Sequence, residues 1–347
     1  MRRSLTFAYP GALDLNTGGY AYDRRAIEGL RASGWTVELL GLGDGFPFPS
    51  VQTLAAAEER LSALEDDQLL LIDGLAYGVL DGWAQQHAQR MNIVALVHHP
   101  LALETGLDSS QQQIFRASET AALSAARHVI VTSPMTAREL VSRYGVAEAD
   151  ITVALPGTDR APPAKGDGEP PRILSIGTLS PRKGHDVLVA ALKANADLAW
   201  QARIVGSRDL DPKTTTALEE QIETLGLSER IALAGECEDS RLELSKADIF
   251  ALASRYEGYG MVFAEALSQG LPIVACHAGA VPDVVPEDAG ILVSVDDVAA
   301  FAAALRRLLL NPDERRSRAG AAARAGALLP NWDDTAARIA QALDKIR

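Results

Sequence analysis

The chain has 347 residues, 47% apolar and 23% charged, which suits two folded domains better than one core. A formal charge of −13 and only 5% aromatic residues argue against sequence-blind nucleic-acid binding, which needs clustered Lys and Arg and stacking surfaces. Two cysteines, Cys237 and Cys276, make no disulfide framework, and no apolar run suits a signal peptide or membrane span, so a reduced, cytoplasmic protein is expected.

From the N-terminus, short apolar runs alternate with longer amphipathic ones. Strands are expected at residues 5–9, 36–40, 69–73, 93–97, 129–132 and 151–155, and helices at 19–32, 52–64, 77–90, 111–126 and 134–144. Strands that read as unbroken apolar runs between helices belong to a parallel sheet covered on both faces. Ligands of such sheets bind beyond the carboxyl ends of the strands. Residues 161–171, rich in Pro, Gly and charge, interrupt the rhythm and read as a linker. The pattern then restarts. Strands are expected at 173–176, 203–205, 231–234, 249–252, 272–275 and 291–293, and helices at 183–195, 212–225, 239–246, 260–269, 298–310 and 313–327. A last helix, 332–346, follows Pro330. The expected fold is α/β, with two Rossmann-like doubly wound domains facing across a cleft. They span residues 1–160 and 172–330, and residues 331–347 pack back on the first.

The densest chemistry lies between Ser254 and Val274, SRYEGYGMVFAEALSQGLPIV. An apolar strand ends, a glycine-bearing turn follows, and a helix begins near Gly260. Such a turn exposes backbone N–H groups beside the positive end of a helix dipole, a natural phosphate site. Glu257 and Glu265 bracket it with seven residues between them. If that stretch were all helical, the rise between them would be about 12 Å. Ionised carboxylates accept hydrogen bonds only, which suits them to gripping sugar hydroxyls. A second group, SIGTLSPRKGHDVL from Ser175, places Arg182 and Lys183 at the mouth of another strand. A cation there can neutralise charge on a departing diphosphate.

Glu257 and Glu265, set in S-x-x-E-G-Y-G and followed by GLPIVA and GAVPDVV, resemble the E-x7-E motif of the retaining glycosyltransferases of family four, which have the GT-B fold. The resemblance implies a nucleotide-diphosphate sugar, UDP- or GDP-linked, as donor and co-substrate, with no cofactor. It also implies a hydroxyl acceptor on a glycan, a lipid-linked glycan or a small metabolite. Glu265 would bind the donor ribose and Glu257 would sit by the transferred sugar. The backbone of Gly258, Tyr259, Gly260, Met261 and Val262 would hold sugar and phosphate oxygens. Lys183 matches the family lysine. Thr178 stands where the family usually has arginine, and Arg182 is the candidate substitute.

In the first half, Gly18 and Gly19 resemble the family's N-terminal glycine pair facing the donor phosphates, and His98 its histidine near the sugar. His99 and Glu104 are secondary candidates, the latter toward an acceptor. Cys237, in the Gly235–Asp239 segment, is a further one, near the nucleotide base. Acceptor specificity is assigned to loops 43–50 and 101–113. Neither a D-x-D dyad in a suitable position nor a His/Cys ligand cluster is present, so metal independence is expected. The basic pairs Arg2–Arg3 and Arg24–Arg25 leave room for peripheral contact with the inner face of an anionic membrane. A sugar-nucleotide epimerase on the same fold and a non-catalytic sugar-nucleotide-binding protein are the alternatives.

Overall fold

The computed structural model describes residues 3–104 and 106–346. Arg2 of the first basic pair and Thr105 of the expected acceptor loop lie outside the described residues, as do Met1 and Arg347. The chain divides into two units. One contains the residues up to Gly157 together with those from Pro330 onward, and the other is Thr158–Leu329.

In the first unit, β1 (Ser4–Tyr9), β2 (Thr36–Gly41), β3 (Leu69–Asp73), β4 (Asn92–Val97), β5 (His128–Val131) and β6 (Ile151–Val153) form a sheet ordered β2-β1-β3-β4-β5-β6. All its pairings are parallel, for example Leu5 beside Val37 and Leu71 beside Val94. Every residue of β3 is buried, as a strand covered on both faces requires. Leu70, Ile72, Ile93 and Ala95 share their core with Tyr77, Trp83 and Leu140. The strand order reverses between β1 and β3, which opens a crevice at their carboxyl ends.

The second unit repeats the plan with β7 (Arg172–Ile176), β8 (Gln201–Val205), β9 (Ile231–Leu233), β10 (Ile249–Leu252), β11 (Ile273–Cys276) and β12 (Gly290–Val293). Their order is β12-β11-β10-β7-β8-β9, again all parallel. Ile173, Leu188, Trp200, Ile204, Phe301 and Leu305 lie in its core. Here the order reverses between β7 and β10.

Some details differ from the sequence reading. The expected helix 77–90 is two short ones, Gly74–Tyr77 and Asp81–His87. Tyr77, Leu80, Trp83 and Ala84 are all buried, so apolar spacing of three to four residues runs straight through the break. Residues 161–171 have no regular structure yet are held to the second unit. Ala164 N–H donates to the Gln269 carbonyl at 2.8 Å. The buried Asp248 carboxylate accepts from Gly168 N–H at 3.0 Å and from Arg172 N–H at 2.7 Å. The division between units therefore falls after Gly157, a few residues earlier than composition suggested. The last helix, Trp332–Ile346, belongs to the first unit, where Thr335 Oγ1 donates to the Leu155 carbonyl at 2.7 Å. Among the described residues no helix is long and apolar enough to cross a membrane.

Candidate active site

In the second unit, the chain leaves β7 through Gly177 and a loop, makes a single 3₁₀ turn at Pro181–Lys183, and only then enters the helix His185–Lys193. The helix start expected at Lys183 is thus this turn. The Lys183 methylenes lie 3.2–3.3 Å from where a Cβ on Gly177 would stand, so the bare glycine lets the lysine stem lie across the strand end. Arg255 anchors the turn from β10. Its guanidinium donates to the Pro181 carbonyl and pairs with Asp186 at 2.7 Å and Asp296 at 2.8 Å. His185 is buried beside the turn, with Nε2 3.3 Å from the Gly177 carbonyl. Burial outweighs that bond and pushes the imidazole down to about 4, so a neutral ring donates to the strand end.

Lys183 points at Glu257, just beyond β10. Glu257 is 4% exposed. Its Oε1 accepts from Lys183 Nζ at 2.7 Å and from Ser254 Oγ at 2.6 Å, and Oε2 stands 3.6 Å from Arg182 Nη1. Arg182 also donates to the Tyr256 carbonyl at 3.2 Å. Burial works to raise the Glu257 carboxyl, but Lys183 and then Arg182 outweigh it and hold it below the usual glutamate range. Two cations therefore converge on one carboxylate at the β7–β10 switch point. The Thr178 hydroxyl lies 3.5 Å from Ser180 Oγ, so the position of the family arginine carries a short neutral side chain.

The chain then turns through Gly258 and Tyr259 to Gly260, the N-cap of the helix Met261–Ser268. Glu257 precedes that helix, so the all-helical spacing of the two acids does not apply. Glu265 lies half-buried within the helix and accepts from Ser240 Oγ at 2.9 Å. Burial raises its pKa against the pull of Ser240 and Arg241. Ser240 opens the helix Ser240–Leu244 soon after Gly235–Asp239, so the expected base segment and the expected ribose acid are neighbours in this unit. The Cys237 thiol is pushed up by burial and by Glu243 and Glu265, which favours the protonated form over the thiolate.

In the first unit, Gly18 and Gly19 open the helix Gly18–Ala32. A Cβ on Gly19 would stand 3.6 Å from the His98 ring, so Gly19 and His98 meet. His98 Nε2 lies 3.1 Å from Asp23 Oδ1 and 3.4 Å from Asp73 Oδ2. These three side chains are also spaced closely enough to share a cation. Burial opposes charge on the His98 ring, but the two carboxylates win and raise its pKa well above the usual value. His99 Nε2 lies 3.1 Å from Glu104 Oε2, which makes a separate pair.

Sequence reasoning missed Asp23, Asp73 and Ser240. Asp23 left a signal: it falls in phase with Tyr22, Ala26, Ile27 and Leu30 on the buried face of its helix, where an acid is out of place. Asp73 ends a fully apolar strand, a position that faces the crevice. Ser240 has no local signal, because it meets Glu265 across 25 residues.

Two parallel six-stranded sheets, with these side chains gathered at their carboxyl ends, define a GT-B protein. Sucrose-phosphate synthase from Thermosynechococcus elongatus superposes with a TM-score of 0.82 at 22% identity, covering 98% of each chain. Anabaena HepE in complex with UDP-glucose gives 0.78 at 18% identity, over 98% of this chain and 100% of that one. The family described as "Glycosyl transferases group 1" matches residues 159–326, and "Glycosyltransferase Family 4" matches residues 59–161. The chain belongs to this family of group 1, family 4 glycosyltransferases. It is 30% identical over 277 residues to D-inositol 3-phosphate glycosyltransferase of Xylanimonas cellulosilytica, covering 74% of this chain. It spans 65% of the length of that relative.

Proposed function

We propose that the chain is a retaining, metal-independent glycosyltransferase. It moves a sugar from a UDP- or GDP-linked donor to a hydroxyl of a glycan, a lipid-linked glycan or a small metabolite. The observation that carries this reading is the convergence of Lys183 and Arg182 on Glu257 beside the helix start at Met261. A cationic pair next to an N-terminal helix end suits a diphosphate, and the Gly258–Val262 backbone supplies donors to its oxygens. Glu265, steadied by Ser240, takes the ribose hydroxyls. Gly18, Gly19 and His98 of the first unit are assigned to the donor phosphates and sugar.

In the reaction, the acceptor hydroxyl attacks the anomeric carbon from the side the diphosphate leaves. The C–O bond to the diphosphate breaks, the new glycosidic bond forms, and the leaving diphosphate oxygen takes the acceptor proton. Lys183 and the helix start stabilise the charge developing on that oxygen, the kind of preorganised electrostatics that contributes most to many enzymes. Arg182, beside Lys183 on the same carboxylate, supplies the second cation in place of the family arginine missing at Thr178. Neutralisation by these fixed cations needs no divalent ion. The donor and acceptor are to be met in the cytoplasm; Arg24 and Arg25, expected to face a membrane, are instead engaged within their own unit by the Leu13 and Leu15 carbonyls and the Trp332 ring.

A panel of sugar nucleotides tests this directly. One donor is expected to raise the melting temperature, because a ligand bound only by the folded chain stabilises it. With an acceptor, that donor should give a product of unchanged anomeric configuration by NMR, at the same rate with or without EDTA. An inverted product, or activity lost to EDTA and restored by Mg²⁺ or Mn²⁺, would refute the corresponding part. Isomerisation of the donor without any acceptor would establish the epimerase instead.

A further inference from the structure

We infer that Asp23 and Asp73 are positioning residues for His98: they hold its ring by Nε2 and leave Nδ1 to donate to a hydroxyl of the transferred sugar. This deepens, and rests on, the assignment of His98 to the donor sugar. The geometry is that of a ring fixed from several sides. Asp23, on the helix Gly18–Ala32, is 0% exposed and meets Nε2 through Oδ1 at 3.1 Å. Asp73, at the end of β3, uses Oδ1 to accept from Leu75 N–H at 2.7 Å, which leaves Oδ2 for Nε2 at 3.4 Å. The Tyr22 ring packs edge-on against the imidazole, with centroids 5.3 Å apart. Thr132 Oγ1 donates to the His98 carbonyl at 3.2 Å, fixing the backbone from the end of β5.

Charge compensation makes this more than packing. The second oxygen of Asp23, Oδ2, is buried and has no hydrogen-bond partner among the described residues. A buried carboxylate is costly unless a cation pairs with it. The basic neighbours on its own helix point elsewhere, Arg24 to the carbonyls of Leu13 and Leu15 and Arg25 over the Trp332 ring. Among the described residues, the other titratable groups facing the cluster are Tyr20 and Tyr22, both pushed up by burial and neutral, with Asp44 beyond Tyr20. The imidazolium is thus the cation that serves both acids. Its side chain is 20% exposed, and Nδ1 has no partner among the described residues. A protonated ring offers N–H at both nitrogens, whereas a neutral ring held by Nε2–H would offer only a lone pair at Nδ1.

The test uses the full chain with ¹⁵N-labelled histidine and no donor, the His98 signal being assigned by its loss in His98→Gln. Wild-type His98 is expected to give imidazolium signals through pH 8, and Asp23→Asn to convert it to a neutral ring at that pH. With the donor identified above, Asp23→Asn should lower kcat about a hundredfold at pH 8. Activity should recover as the pH is lowered into the range where the released ring takes up a proton. A merely structural role would not produce that recovery. Asp73→Asn, at the longer distance, should show the same trend more weakly, and it serves if Asp23→Asn does not fold. A neutral His98 in the wild type at pH 8 would overturn the proposal. So would an imidazolium that survives both substitutions, or a His98 signal that shifts only with added Zn²⁺. If the NMR result holds but His98→Gln transfers sugar at the wild-type rate, the two acids hold a ring that the sugar does not use, and the assignment of His98 fails.

Discussion

Replacing Lys183 with methionine is expected to lower kcat by about two to three orders of magnitude while the chain still folds. Methionine keeps an unbranched stem to lie across Gly177 and removes only the ammonium. The size of the effect follows from where the charge sits. Nζ lies 2.7 Å from Glu257 Oε1, with the lysine side chain 12% exposed, so this cation acts with little water to screen it. Removing one partner of a buried pair typically costs about 3–5 kcal/mol. Here Ser254 and Arg182 remain on the same carboxylate, and Glu257 can take up a proton, so the loss of stability should be smaller.

The pH dependence separates the two consequences of this substitution. Glu257 has a depressed pKa in the fold, so its contribution to stability is present above the unfolded glutamate value, about 4.3, and is lost as the pH falls through the folded value. The difference in stability between wild type and Lys183→Met should therefore be largest near neutrality and shrink in acid. Urea titrations at several pH values measure it, and steady-state kinetics measure kcat. Undiminished kcat in a folded Lys183→Met chain would contradict the assigned role of the ammonium.

Substituting Gly279 with alanine, by contrast, is expected to damage the site through the backbone. Gly279 has φ +53°, and a Cβ there would overlap the Glu257 carbonyl oxygen and lie 3.0 Å from its nitrogen. The next residue, Ala280, donates its N–H to that carbonyl at 2.9 Å, so the loop after β11 carries the Glu257 backbone. With no flexible side-chain end able to move aside, the backbone must shift and take Glu257 away from Lys183. Overpacking of this kind costs about 1–3 kcal/mol, and the left-handed backbone adds about 1 kcal/mol more. Gly226→Ala is the control: its φ is +67°, with nothing within 4 Å of the added carbon, so only the smaller backbone cost applies. Loss of donor affinity in Gly279→Ala but not in Gly226→Ala would tie the effect to Glu257. Equal melting temperatures for the two variants would argue against the clash.

Much of this fold was legible because burial on both faces leaves uninterrupted apolar runs such as Leu69–Asp73, and parallel pairing follows from the helices between them. The settings of Glu257, Lys183 and Glu265 were legible because each lies in or beside a local pattern of strand, turn and helix, while the roles given to them are proposals. What the sequence left hidden depends on long-range closure. Asp23 meets His98 across 75 residues, and no local window joins them. The break between Tyr77 and Asp81 was hidden for the opposite reason, since the apolar rhythm continues through it. The run at 161–171 reads as a free linker by composition, but Asp248, far along the chain, captures its backbone.

The most direct test is a crystal structure of the chain with whichever of UDP or GDP raises its melting temperature. The expected result places phosphate oxygens within hydrogen-bond reach of Lys183 Nζ and the N–H groups that open the helix Met261–Ser268, with the ribose on Glu265. A nucleotide bound elsewhere, with Lys183 still closed on Glu257 and Glu265 touching no ligand, would contradict it.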